Sequence, residues 1–568
     1  MSGKEPRAQL PEGILFTNYN IRSLSVAPKI SDASLGVRSI IPPMPLNLLT
    51  WLLAFSPVII VLVLMLGLRW GGSKAGAIAW FVAVLVAFFF FGANLRLIAY
   101  TQAKAILLSL DVLYIIWTAL LLYHIADESG TVRMIGTMLP ALTPDRTMQG
   151  LLLGWLFASF LQGMGGFGVP VAVSAPLLVG LGFSPVQAVL MSCIGHGWAV
   201  NFGSLATSFQ TLLAVTNLPG TLLGPPSAVL LGISALPCGL IVAFIGGGWQ
   251  GVRRTFPAVL LLSVVMGLTQ YGLVVARVWT LGATGAALVG LVVGFALTRL
   301  PAYRQTNGQS LTSQVDENGR RRSLPVAFSA YAILVVLAFG INLIEPLRAF
   351  LDRFQFTLQF PELRTALGWV NPAEAGRKID LLGHPGAVLF YSSLLAALIY
   401  QRAGYFRPGA WKRILTPVLR GAVNSSLGIV AMVGMAVIMS NTGMTNLLAE
   451  GLSRNFGAEF YPLVAPFLGA LGAFITGSNN NSNVLFALLQ MRTAELLKLS
   501  VPLILAAQTA GGSLGSIMAP AKVIVGCSTV GLGDNESVVM RPILFYGLLP
   551  VAGVALLTVL FLWLGVWS

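Results

Sequence analysis

The chain has 568 residues, 56% of them hydrophobic and only 9% charged, with a mean hydropathy of +0.83. A soluble body of that size must show water more polar surface than this, so the composition excludes one and implies an integral membrane protein. The net charge of +15 is no sign of a nucleic-acid partner, because basic residues collect in the cytoplasmic loops of membrane proteins for insertion reasons alone.

A polar, basic tail over residues 1–45, carrying Lys4, Arg7, Arg22, Lys29 and Arg38, precedes the first apolar run, which begins near Leu46. A secretory signal has its apolar core much closer to the first methionine, so no cleaved leader is expected. Apolar runs then follow at 46–68, 74–93, 103–125, 147–162, 185–200, 226–248, 256–276, 278–298, 325–345, 385–402, 418–440, 461–476, 499–512 and 540–567. Most are long enough to cross ~30 Å of hydrocarbon as a helix, and the ~10-residue alternation of a β-barrel is missing. The expected fold is an all-α polytopic membrane protein with about 12 to 14 transmembrane segments, several of them interrupted.

Two polar insertions stand out. Residues 300–324 read as a solvated connector between a first membrane half, 46–299, and a second, 325–568; residues 346–384 read as an extramembrane excursion with its own short helices. Arg253 and Arg254, the group Arg299, Arg304, Arg320, Arg321 and Arg322, and the cluster Arg402, Arg407, Lys412 and Arg413 belong in the cytoplasm by the positive-inside rule. Cys193, Cys238 and Cys527 all sit in apolar surroundings without metal or disulfide spacing and read as core packing.

The two halves echo one another. Gly130 aligns with Gly443, Gly163 with Gly477, and "FGSLATS" at 202–208 with "LGSIMAP" at 514–520, at offsets of 313, 314 and 312 residues. Three matches in register, with similar hydropathy between them, imply a duplicated unit over about 103–218 and 418–530. Each copy supplies a hairpin with a Gly- or Asn-rich tip, then a helix broken at a Gly-Ser step. Backbone that leaves helical geometry at membrane depth is tolerated only when it is buried in protein or lines a wet cavity. Paired interruptions in corresponding positions are a sequence pointer to a transport site. "ITGSNNNSNVLF" at 475–486 is therefore expected to cap a half-helix whose N–H groups and amides face a solute or ion.

At these residues the chain resembles the lactate permease family, secondary transporters of lactate and glycolate. The resemblance rests on "GFGVPVAVSAPLLVGLGFSPVQA" at 166–188, "TGSNNNSNVLFALLQ" at 476–490 and "AAQTAGGSLGSIMAPAKVIVGCSTVGL" at 506–532, and extends over about 46–568. It implies an ion-coupled carrier built on inverted repeats with re-entrant hairpins, in the cell's inner (plasma) membrane. It also implies some departures. Gln162 stands where the family usually has a glutamate, Asn479 where it has an aspartate, Ser516 where it has a lysine, and His196 where it has an asparagine. Two acids and one base are thus neutral here, which weakens proton coupling through buried carboxylates and leaves sodium as an alternative coupling ion.

For an anionic substrate the expected donors are the half-helix N-termini at Gly165–Gly166 and Ser478–Asn479, with Asn480, Asn481 and Ser482 from the second tip. Asn201 and Ser204, with Thr207 and Ser208, belong to the first break, and Thr509, Ser513 and Ser516 to the second. An isolated hydroxyl in a membrane helix usually bonds its own backbone, so no single one of these decides the site. Lys522 either supplies the cation that the family places earlier or snorkels to the interface. His196 either titrates or is structural. Asp111 lies inside the third run, with Asn424 as its counterpart by offset, and is a coupling candidate or a tie to a neighbouring helix. A sodium ion would be sought near Asn481 and Asn483. His124, Asp127 and Glu128 read as a solvated boundary. No cofactor is expected beyond a coupling ion, H+ or Na+.

Enzyme readings find no support in the sequence: its three histidines are far apart, and no acid or thiol cluster has ligand spacing. "GMGGFG" lies between hydrophobic runs without a strand before it, which argues against a phosphate cradle. The expected function is secondary transport of a small organic anion, 2-hydroxy monocarboxylates first by resemblance. Dicarboxylates, sulfur oxyanions and a passive anion channel are the alternatives. The expected partners are that anion and the lipid bilayer; the oligomeric state, monomer or homodimer, is open.

Overall fold

The computed structural model describes residues 45–567 apart from 69, 132–142, 167, 302, 304–323, 352, 377–378 and 533–536. The expectations for the N-terminal tail and for most of the polar connector fall outside these residues.

The first half opens with α1 (Leu48–Leu62), started by a capping box on Asn47, and α2 (Gly72–Phe90). Then comes α3 (Leu95–Glu128), 34 residues started by the Asn94 side chain, which accepts from the Leu97 N–H, and followed by Gly130 at φ +72°. Its partner in the second half is α13 (Ala410–Asn441), 32 residues followed by Gly443 at φ +83°. The two lie antiparallel: Asn441 donates to Thr101 Oγ1 (3.3 Å) at one end, and Arg413 pairs with Glu128 (2.6 Å) at the other. Glu128 is thus half of an ion pair at the boundary where the sequence placed a solvated acid.

A helical hairpin follows in each half. In the first, Arg146–Leu151, a π-helical stretch Leu152–Phe157 and Ala158–Met164 run on as one rod, α4, which turns at residues 165–168 into α5 (Val169–Gly180). Arg146 Nη2 reaches the Gly182 carbonyl (2.7 Å), so the two outer ends of this hairpin meet. The base is closed by Arg254 on Asp145 (3.0 Å) and by Tyr303, whose hydroxyl donates to the Arg254 carbonyl (2.9 Å). Burial, with the Asp145 carboxylate beside it, raises that phenol above its ordinary range and keeps it a donor. In the second half, α14 (Met444–Thr476) bends at Gly457 (φ +63°, ψ 170°), and its inner arm turns at residues 477–478 into α15 (Asn479–Leu496). Tyr461 OH donates to Gln490 Oε1 (2.6 Å) across these two arms.

Each hairpin is followed by an interrupted helix. α6 (Pro185–Gly195) tightens into a 3₁₀ turn at Gly197–Ala199, passes three consecutive left-handed residues, Ser204, Leu205 and Ala206 (φ +46°, +58° and +63°), and resumes as α7 (Thr207–Thr216). No glycine relieves these three positions, so surrounding contacts must hold the strained backbone. After α8 to α15, the matching α16 (Val501–Gly515) breaks at a 3₁₀ turn, Ser516–Met518, and continues as α17 (Pro520–Thr529).

In both halves the incoming hairpin arm and the interrupted helix touch backbone to backbone. A Cβ on Gly195 would overlap the Gly154 carbonyl, and one on Gly511 or Gly469 would overlap the carbonyl of Pro466 or Gln508. Small residues are what allow membrane helices to approach this closely. Trp198, fully buried, adds an Nε1–H to Ser159 Oγ (3.0 Å) that fixes the first crossing.

Between the halves run α8 (Gly220–Val275), α9 (Gly282–Leu297), α10 (Leu324–Leu343), the short α11 (Glu345–Leu351) and α12 (Pro385–Arg402); α18 (Ser537–Trp563) ends the chain. The apolar runs at 226–248 and 256–276 are two helical segments of α8 that meet at a kink, Gly248 (φ +60°, ψ −159°). Among the described residues nine helices are long and apolar enough to cross a membrane, against 12 to 14 expected segments, because α8 joins two of the runs and the interruptions cut others into shorter pieces.

The excursion at 346–384 departs from the expected short helices. It holds one, α11, and then three antiparallel two-residue β pairs: Gln355–Phe356 with Ile379–Asp380, Gln359–Phe360 with Glu374–Ala375, and Leu363–Arg364 with Val370–Asn371. This ladder lies along α3. The Ala366 N–H donates to the Gly92 carbonyl (2.7 Å), Asn371 to the Asn441 carbonyl (2.8 Å), and Lys104 pairs with Glu374.

Candidate functional site

The two interruptions meet. Ser513 of α16 donates to the Gly197 carbonyl (2.8 Å) and accepts from the Asn201 N–H (3.0 Å), so one hydroxyl joins both breaks. From that junction a chain of buried polar side chains leads to the second hairpin tip. Thr509 donates to Asn201 Oδ1 (2.6 Å), and Asn483 Nδ2 donates to Thr509 Oγ1 (2.9 Å) and the Ser208 carbonyl (3.0 Å). Asn479 Nδ2 lies at the edge of bonding distance from both Thr509 Oγ1 (3.3 Å) and Asn201 Oδ1 (3.4 Å). Ser208 Oγ donates to Asn480 Oδ1 (2.5 Å).

The local sequence dictates this crowding. Gly477 (φ +72°) ends the incoming helix in the left-handed conformation, Ser478 is the N-cap, and Asn479 is the first residue of α15. Positions 479, 480 and 483 then fall on the buried side of the helix, while Asn481 is only half-buried. Ser478 makes no side-chain cap bond, which leaves the first N–H groups of α15 without side-chain partners at its positive end. Ser482 points back into the hairpin, donating to the Gly469 carbonyl (2.6 Å) and accepting from Gln508 (3.2 Å).

The first hairpin tip reaches the same break from the other side, through backbone. The N–H groups of Ser204 and Leu205 donate to the carbonyls of Gln162 (2.8 Å) and Gly163 (3.1 Å). Gly166 (φ +59°) has no room for a Cβ, which would overlap Ser204 Oγ. Two expectations are corrected here. The conformational match of Gly477 is Gly166 rather than Gly163, which stays helical. The half-helix N-terminus lies at Gly168 (φ +90°), the N-cap of α5, because Gly165 and Gly166 terminate the incoming helix instead of starting the outgoing one.

Several buried polar atoms along this path have no partner among the described residues: Gln162 Oε1, His196 Nε2, Asn201 Nδ2, Asn479 Oδ1, Asn480 Nδ2 and Asn483 Oδ1. Leaving such an atom unmade costs roughly 1–3 kcal/mol, so a cluster of them marks a candidate binding surface. His196 is half satisfied, its Nδ1 on the Ser192 carbonyl at 2.6 Å.

Lys522 ends the path. Its Nζ donates to Ser516 Oγ (3.1 Å), Ser516 Oγ in turn donates to the Ser513 carbonyl (2.9 Å), and the lysine is only 6% exposed. It is therefore a buried cation, not a snorkelling one, and among the described residues no carboxylate pairs with it. The ammonium sits on the very residue, Ser516, at which the resemblance leads one to expect a lysine. It occupies the first turn of α17, whose N-terminus adds positive potential near it.

Asp111 lies apart from this path. His384 Nε2 is 3.1 Å from Asp111 Oδ1, while His384 Nδ1 accepts from the Gly386 N–H (3.1 Å) and starts α12. The Tyr114 ring stacks on the imidazole at 5.0 Å. The side chain of Asn424, its counterpart by offset, lies outside the described residues. His384, Gln490 and Gln508 escape a reading of the sequence. A glutamine inside the apolar "AAQTAGG" was the available signal for the last, and a histidine before the proline that opens α12 for the first.

The L-lactate permease family model matches residues 50–565. Glycolate permease GlcA of Escherichia coli K12 is 28% identical over 554 residues, covering 90% of this chain and 95% of its own. The L-lactate permease of Bacillus subtilis 168 is 27% identical over 535 residues, covering 87% and 92%. Among solved structures, the YdaH transporter of Alcanivorax borkumensis is similar at a TM-score of 0.45 and 14% identity, covering 83% of this chain and 88% of that one.

Proposed function

The chain belongs to the L-lactate permease family and is a multi-pass membrane protein, and from that premise we propose that it is a secondary active transporter of small 2-hydroxy monocarboxylates such as lactate or glycolate. One observation carries the reading: Lys522, buried with no carboxylate partner among the described residues, stands at the end of a path of amide atoms that have no partner there either. Burying an ammonium without a counter-charge is costly, and a substrate carboxylate removes that cost on arrival. The free Nδ2 groups of Asn201 and Asn480 offer further donors. The free Oδ1 atoms of Asn479 and Asn483 offer acceptors for a hydroxyl beside the carboxylate. A ligand that both accepts and donates suits this set better than a plain oxyanion does. The names of the two permeases above, glycolate and L-lactate, agree with it.

The two hairpins support an alternating-access arrangement. With the basic loops in the cytoplasm, the first hairpin hangs from the cytoplasmic side, where Arg146 and Gly182 close its base beside Arg254, and the second enters from the opposite side. We read these as re-entrant elements of an inverted repeat, moving against α3, α13 and their neighbours about the fixed break. Coupling is to a proton or a sodium gradient. His196 Nε2 is the unpartnered titratable atom on the path, and Asn483 Oδ1 with the half-exposed Asn481 offers oxygen to a small hard cation.

Uptake of labelled anions into proteoliposomes, with proton and sodium gradients imposed separately, tests this. Saturable accumulation of lactate or glycolate driven by one gradient, with counterflow, is the expected result. Non-saturable flux without counterflow would mean a pore, and preference for sulfate or a dicarboxylate would overturn the substrate.

A further inference from the structure

A cavity of about 350 Å³ opens among the residues joining α7 to α8, those joining α8 to α9, and α10 to α12. Its lining includes Arg277, Trp279, Thr280, Arg348 and Asp380, and Leu205 forms part of its wall. Arg348 and Asp380 are engaged with other groups, and Asp380 Oδ1 accepts from the Gly383 N–H (2.9 Å). The Arg277 guanidinium, exposed on the turn after α8, has no polar partner among the described residues. Leu205 also borders a second space. A small void of about 10 Å³ is walled by Leu205 together with Tyr123, Met164 and Thr284, and Thr284 Oγ1, beside Gly163 of the first hairpin tip, is buried without a partner among the described residues. Leu205 is 1% exposed and sits in the left-handed run 204–206 that the tip carbonyls hold in place.

We propose that this cavity is the outer vestibule through which the organic anion reaches the buried amide path, with Arg277 as the residue that captures it and the Leu205 side chain as the plug between vestibule and site. The proposal rests on the transport reading above. The side follows from the charge pattern: Arg253 and Arg254 lie near the middle of α8 and Arg299 follows α9, so with those in the cytoplasm both ends of α8 and the start of α9 face outward. An unpaired guanidinium in a concave, half-apolar recess attracts a carboxylate over several ångströms and releases it readily, since one exposed charge contact is weak. The plug is a single apolar side chain on strained backbone whose two donors end on the hairpin tip. A shift of that tip therefore releases Leu205 at once, which ties opening of the vestibule to hairpin movement.

Three measurements on the full chain in proteoliposomes test this. Arg277→Gln is expected to raise the lactate KM about five- to tenfold at low salt with kcat kept, the difference shrinking at high salt, and Arg277→Lys is expected to keep most of the wild-type KM. Thr280→Cys is expected to react with a membrane-impermeant methanethiosulfonate from outside, slowed by millimolar lactate; the native cysteines, all buried, give a silent background. Thr284→Cys is expected to react at least about tenfold faster when combined with Leu205→Ala than alone, a readout independent of flux. Unchanged KM and salt dependence in Arg277→Gln, or labelling of Thr284→Cys indifferent to Leu205, would overturn the proposal. So would protection of Thr280→Cys that follows the phosphatidylglycerol content of the vesicle and not lactate, since the cavity would then hold a lipid headgroup. A wild-type protein that accumulates no organic anion would defeat the transport reading instead, and the Thr284 readout would still report on the plug.

Discussion

The two hairpin tips occupy matching places and address the same break by different chemistry. The second, 477–483, works through side chains: Asn479, Asn480 and Asn483 all reach across to residues 201–208 or to Thr509. The first, 162–168, works through backbone, its carbonyls taking the N–H groups of Ser204 and Leu205 and its glycines leaving no room for side chains. The charge is divided just as unevenly: Lys522 bonds Ser516 at the second break, and among the described residues no side chain of either tip carries a charge. Two similar hairpins thus meet the break asymmetrically, one through amide side chains and the other through backbone. That suits a substrate that is itself asymmetric, with a carboxylate at one end and a hydroxyl carbon at the other.

The largest effect should come from removing the charge. Lys522→Met is expected to lower lactate uptake at least about a hundredfold if the substrate carboxylate pairs with this buried ammonium as proposed. Adding Ser516→Lys to that variant should recover a measurable part of the loss, since the native ammonium already lies on Ser516 Oγ at 3.1 Å. Recovery would show that the site needs a cation at that point in space and not at one point in the chain. A double variant as dead as the single one would break the contrast between the two tips.

Next come the amides of the second tip. Asn479→Ala and Asn483→Ala are each expected to cost about ten- to a hundredfold in kcat/KM, the range for deleting a buried partner of a charged group. At the first tip Gln162→Ala should cost less than about threefold, because that tip meets the break through the Gln162 and Gly163 carbonyls, which the substitution leaves in place. Gly166→Ala there should be as harmful as losing an amide: the new methyl meets Ser204 Oγ in a left-handed residue. Ser204→Gly in the same chain should relieve the overlap, and transport assays on the five variants would show whether side chains matter at one tip and backbone at the other.

Much of this asymmetry was legible in the residues themselves. "GSNNNSN" announced polar side chains where a membrane core needs a reason for them, and Gly130 and Gly443, both left-handed after a long helix, mark the same punctuation in each half. The first tip was harder to place, because "GMGGFG" offers four glycines and only the backbone angles say that Gly166 turns while Gly163 stays helical. The β ladder of the excursion was hidden for a different reason. Its strands are two residues long, too short to carry a period of two. Nor does periodicity connect Asp111 with His384, 273 residues away, or Lys522 with the seat at Ser516 that it fills.

The smallest effect on transport should come from that buried Asp111–His384 pair, and it sharpens what is distinct about Lys522. Both are charged groups placed where hydrocarbon surrounds the protein, yet Asp111 has its partner within 3.1 Å, and that partner starts α12 through the Gly386 N–H. Asp111 is thereby tied to a neighbouring helix, and none of its described contacts reaches the amide path. Asp111→Asn keeps the shape and one acceptor for the imidazole, so the lactate KM and the dependence on the imposed gradient should change by less than about twofold. Asp111→Ala removes the group facing His384 Nε2 and should instead lower thermal stability, by about 1–3 kcal/mol, the cost of one buried hydrogen-bonding group left unmade. The pair of assays separates two roles for one acid. Unchanged stability with loss of proton-driven accumulation in Asp111→Asn would move this residue from a tie between α3 and α12 to a carrier of the coupling proton, and would place the driving ion far from the cation that holds the substrate.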